Sequence, residues 1–87
     1  MRLDTIKGLH RASLCLAVGY YNLNTVGRFD KTVKVVTKFL KDNGLNFDYT
    51  LLANKMMVKK TVELAEEVVL GKLELERAIQ KLEEYLF

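Results

Sequence analysis

An all-α fold, a compact bundle of four helices arranged as two antiparallel hairpins, is predicted by three features of this 87-residue chain. It contains no proline, so every backbone donor stays available for helical hydrogen bonds. Gly44 and Gly71 fall where runs of helical periodicity stop, as glycine does when it takes the left-handed conformation that closes a helix. Between those stops apolar residues recur at spacings of three and four, the period of one helix face.

The first helix is expected from about Asp4 to Tyr21, with Asp4 as N-cap and Asn22, Leu23 and Asn24 ending it. At about 100° per residue, Leu3, Ile6, Leu9, Leu14, Leu16, Ala17, Tyr20 and Tyr21 share a broad apolar face. Asp4, Lys7 and Arg11 mark the opposite side, but only in the first half. From Ala12 onward the helix is apolar nearly all round, which calls for burial on more than one side. A second seam, Gly8, Ala12, Cys15 and Gly19, follows spacings of four, three and four. Small side chains there let another backbone approach, either a helix of the same chain or the first helix of a second copy. The first helix is thus placed centrally in the bundle or at a dimer interface.

The second helix begins near Thr25 or Gly27 and ends at Asp42, with Asn43 and Gly44 as the stop. Phe29, Val33, Val36 and Leu40 form its core stripe, and Lys31, Lys34, Lys38 and Lys41 lie opposite. The third, from about Asp48 to Leu70, is capped by Asn46 or Asp48. Its apolar pattern shifts partway, from Tyr49, Leu52, Ala53 and Met56 to Val58, Val62, Ala65 and Val69. Such a shift predicts packing on two sides or a bend near Met56 and Met57. Lys59, Glu63, Glu66 and Glu67 make a solvated face. The fourth helix runs from about Glu74 to Tyr85, with Leu75, Ala78, Ile79, Leu82 and Leu86 inward and Glu76, Gln80, Lys81, Glu83 and Glu84 outward. The link from Gly71 to Glu74 is so short that the last two helices fold back on one another.

Size and composition agree with one helical domain over residues 1–87. With 49% hydrophobic and 29% charged residues the chain is neither disordered nor fibrous. A domain this small buries only about 60 to 65% of its unfolded surface, so burial shared with a second copy adds materially to stability. Cys15 is the single cysteine and cannot form an intramolecular disulfide, which points to a reducing, cytoplasmic setting. The most apolar window, Ala12 to Tyr21, falls well short of the ~20 residues that span a bilayer. Arg2, Lys7 and Arg11 precede it as in a signal peptide, yet Tyr20, Tyr21 and Asn22 follow it where small cleavage-site residues would stand. No membrane association is expected. The net charge of +3 is uneven, the first half being basic and the second slightly acidic.

Few residue groups suggest chemistry. His10 and Ser13 share the apolar face of the first helix, but Asp4, the nearest carboxylate in sequence, projects from the other side, so no catalytic triad is assigned. Ser13 is expected to bond its own helix backbone. Glu63, Glu66 and Glu67, with Glu83 and Glu84, sit opposite the apolar stripes, and one histidine does not supply the paired Glu-x-x-His motifs of a bundle metal site. No phosphate loop is present. Catalytic residues, cofactor and metal are therefore all assigned as none. Met56, Met57, Tyr20 and Tyr21 are read as core.

The outline of a helix-turn-helix from Val33 through Gly44 to Met57 would present Asn46, Asp48, Thr50 and Asn54 to base edges, a set with an acid and no arginine. A helical hairpin that turns on glycine accounts for it better. Two functions remain. The leading one is a non-enzymatic helical interaction module that self-associates as a homodimer through Gly8, Ala12, Cys15 and Gly19. The alternative is a regulatory nucleic-acid-binding protein whose Lys31, Lys34, Lys38 and Lys41 neutralise phosphates.

Overall fold

The computed structural model describes residues 2–45, 48 and 50–87. Four helices follow in order: α1 (Leu3–Leu23), α2 (Arg28–Asp42), α3 (Leu52–Val69) and α4 (Leu75–Leu86). No strand occurs among the described residues, and the fold is the expected all-α four-helix bundle.

Helix ends follow from local chemistry. α1 starts after extended Arg2, so Asp4 lies inside the first turn, where its carboxylate meets the positive end of the helix, and does not cap it. It runs on to Leu23 because the Asn24 amide donates to the Tyr20 carbonyl at 2.7 Å, closing the last turn. α2 stops as expected. Gly44, at φ 81°, donates to the Lys41 carbonyl, and Leu45 donates to that of Leu40, a Schellman closure that a side chain at Gly44 would strain. Gly71, at φ 75°, closes α3 in the same way through Val68 and Glu67.

α3 begins later than the periodicity suggests. The Asp48 carboxylate accepts bonds from both the backbone N–H and the hydroxyl of Thr50, and the Asp48 carbonyl accepts from Leu51 and from the Asn54 amide. This Asx turn diverts the chain before the helix starts at Leu52. Asn46 and Tyr49, the alternative cap and the first apolar residue assigned to α3, lie outside the described residues.

Side-chain contacts set the helix directions. Tyr21, near the end of α1, donates to Glu66, near the end of α3, so those two helices run the same way. Arg28, the first residue of α2, stacks on the Tyr21 ring, while Phe87, just past α4, meets His10 near the start of α1. α2 therefore folds back along α1, whereas α4 crosses its first half, with Glu76 at one end on Arg11 and Phe87 at the other on His10. α1 packs against all three other helices, and α2 and α4 lie on opposite sides of the α1–α3 pair without touching. Leu14, Ala17, Val36, Leu40, Val58, Val62, Ala65 and Leu82 fill the centre.

Two apolar stripes need correction. Leu3 and Leu16, assigned to the inward face of α1, are exposed, and that face centres instead on His10, Ser13, Leu14, Ala17 and Tyr21. On α3, Leu52, Ala53 and Met56 are exposed, while Met57, Thr61 and Leu64 join Val58, Val62 and Ala65 in the core. α3 is one uninterrupted helix. The pattern shift marks where it enters the core, because its first turn extends beyond the packed part of the bundle.

Candidate self-association surface

Each turn of α1 places one face on the core and leaves the opposite face open. His10, Ser13, Leu14, Ala17 and Tyr21 point inward, and about 180° away lie Gly8, Ala12, Cys15 and Gly19, all four exposed. No helix of the chain packs on this seam. A Cβ built at Gly8 or at Gly19 would meet no atom within 4 Å. Thr5, Leu16 and Leu23 extend the strip along its length, with Leu23 83% exposed. Its charged residues, Asp4 one turn before Gly8 and Arg11, stand at one edge. Leu16 and Leu23 were missed as members because periodicity alone could not tell which of two apolar faces turns inward.

The two glycines carry a cost. Glycine inside a helix is about 0.5 to 1 kcal/mol less favourable than alanine, and neither Gly8 nor Gly19 has positive φ or a close neighbour that would require it. Among the described residues of one copy, nothing repays them.

One border of the strip is charged. Arg11, on one edge of α1, pairs with Glu76 at the start of α4 at 2.8 Å, which places α4 beside that edge. On α2, Lys31, Lys34, Lys38 and Lys41 are all exposed as expected. Lys38 pairs with Asp42 at 2.6 Å, and the side-chain and backbone bonds from Thr50, with a smaller contribution from the Lys41 charge, hold the Asp48 carboxyl below the usual range.

The remaining groups have structural partners. Asp48, Thr50 and Asn54, which a helix-turn-helix would aim at bases, are bound to one another in the turn before α3. The Ser13 hydroxyl donates to the His10 carbonyl at 2.8 Å, as expected. His10 is buried with no hydrogen-bond partner on Nδ1 among the described residues, and its burial lowers its pKa. Glu66 differs from the expected solvated face, since it accepts the Tyr21 hydroxyl; that bond is the main cause of the raised Tyr21 pKa. Among the described residues no cluster of three His, Cys, Asp or Glu side chains is placed to hold a metal, and no helix is long and apolar enough to cross a membrane.

A second apolar patch surrounds the open groove between α3 and α4, lined by Met56, Lys59, Lys60, Glu63 and Tyr85. Lys60 covers the Tyr85 ring at 5.8 Å. The α1 strip is longer, and its glycines meet no neighbour within 4 Å among the described residues. Comparison with known protein families, curated proteins and solved structures finds no match to this chain.

Proposed function

We propose that the chain is a non-enzymatic interaction module that self-associates as a two-fold homodimer through the outward face of α1. The observation that carries this reading is the pair of exposed mid-helix glycines, Gly8 and Gly19, on a strip of small and apolar residues against which no other helix packs. A second helix on that strip would come close enough to turn the conformational cost of both glycines into contact. Symmetry favours the same strip on the partner, since a two-fold interface is self-complementary. The test is molar mass by light scattering for the wild type and for Ala12→Glu, which places a charge at the centre of the strip. The reading expects a wild-type dimer and an Ala12→Glu monomer with unchanged helical circular dichroism. A wild type that stays at 10.0 kDa contradicts it.

A nucleic-acid-binding role is the alternative, supported by the exposure of Lys31, Lys34, Lys38 and Lys41 along one side of α2. Phosphate contacts release counterions, so this binding would weaken steeply with salt. The double change Lys34→Glu with Lys38→Glu is expected to abolish retention on duplex DNA without altering helicity. Equal retention of variant and wild type disposes of this reading.

A further inference from the structure

Two ionisable side chains are buried among the described residues, Tyr21 and His10. The Tyr21 hydroxyl has a carboxylate to bond, whereas Nδ1 of His10 has no partner. An imidazole in that position is stable only while neutral, since a cation taken out of water needs a counter-charge or a hydrogen bond. What covers His10 is thin. Phe87, the residue after α4, stands edge-on to the imidazole at 6.2 Å and is itself 53% exposed. Behind it the last turn of α4 holds exposed Glu84 and Tyr85 and half-buried Glu83 and Leu86, and the first buried side chain back along the helix is Leu82. Lifting that turn bares little apolar surface, whereas unfolding the bundle bares the whole core.

No counter-charge is paired with His10 on any element around it. On α1, the Lys7 ammonium lies over the Phe87 ring at 5.3 Å and Arg11 is taken up by Glu76. On α4, Glu83 stands one turn before Phe87 and forms no ion pair among the described residues. On α3, the Tyr21 to Glu66 contact sets a register that brings Lys55 level with His10, while Lys60 covers the Tyr85 ring. On α2, which folds back from Arg28 beside Tyr21, the charges level with His10 are Lys38, Lys41 and Asp42, all exposed. Cations outnumber carboxylates around the imidazole, and burial alone lowers its pKa.

We infer that His10 is the trigger of a pH-sensitive latch: its protonation lifts Phe87 and the last turn of α4 off α1, while α2 and the rest of the core stay folded. The inference is independent of the self-association reading, because His10 faces away from Gly8, Ala12, Cys15 and Gly19. Opening admits water to the imidazolium, so the open form binds the proton that the closed form excludes. The latch is closed at neutral pH. Between the ordinary value of 6.5 and the lower value that burial imposes on the closed form, the open-to-closed ratio rises by up to about tenfold for each unit of falling pH. The opening stays local because α4 has only 12 residues and packs on α1 and α3 but not on α2.

An NMR titration of the full chain from about pH 7.5 to pH 4.5 tests the latch by following three sets of signals: the His10 imidazole, the amides of Tyr85, Leu86 and Phe87, and the amides of Val36 and Leu40 in α2. The expected result is that His10 and the last turn of α4 change together, with one midpoint below 6.5, while Val36 and Leu40 keep their native shifts. Phe87→Ala removes the cover from a half-exposed position and should move the His10 midpoint up toward 6.5. His10→Leu should hold the last turn closed across the range, which separates the latch from acid effects on Glu83 and Glu84 in the same turn. The inference is overturned by a last turn that stays in place while His10 titrates, by all four helices changing at once, by an unmoved midpoint in Phe87→Ala, or by the same opening in His10→Leu.

Discussion

His10 shows how a residue's surroundings set a pH limit on the fold. Its ring is buried, Nδ1 has no partner, and the Phe87 ring stands edge-on at 6.2 Å with the Lys7 ammonium over the far aromatic. Burial lowers its pKa from the ordinary 6.5, so below that value the unfolded chain binds more protons than the folded one. Stability from the neutral imidazole is complete above about pH 6.5 and is lost as the pH falls toward the lowered folded value. The melting temperature is therefore expected to drop between pH 7.5 and pH 5.5, and His10→Leu to flatten that drop. An equal slope in the variant would remove His10 as its source. The inward place of His10 and the backbone bond of Ser13 were readable because both depend on neighbours within one helix turn. Tyr21 with Glu66 was not, since 45 residues separate them and no local pattern joins them.

Elements obeyed periodicity where the environment has two sides and departed from it where it does not. α2 and α4, with water on one face and core on the other, bury the centres of their predicted stripes, Val33, Val36 and Leu40 and then Ala78, Ile79 and Leu82, while Phe29, Leu75 and Leu86 are half-buried and Thr32 joins the core unforeseen. α1 was harder. Apolar nearly all round after Ala12, it offered two candidate inward faces, and only tertiary packing chose between them. The start of α3 was missed because the side chain of Asp48 competes for its own backbone. The glycines of α1 give a test at this scale. Gly8→Ala with Gly19→Ala adds side chains into open space and should raise the stability of the dilute monomer by about 1 to 2 kcal/mol. That corresponds to a melting temperature about 4 °C higher or more. The same variant should associate more weakly at high concentration, because two extra methyl groups hold the α1 axes apart. A variant no more stable as a monomer, or one that dimerises as well as wild type, would mean that glycine has no such role here.

At the scale of the whole molecule the bundle divides its labour. α3 and the inward half of α1 make the core with the buried faces of α2 and α4, and the outward half of α1 is left as a bare strip. The fold class and the four elements could be read from glycine placement and apolar spacing. The exposure of the strip could not, because Gly8, Ala12, Cys15 and Gly19 would serve equally well against a helix of the same chain. Sedimentation equilibrium of the wild-type chain across the micromolar range addresses the central claim most directly. Reversible association that approaches twice 10.0 kDa is the predicted result, and a single 10.0 kDa species at every concentration would contradict it.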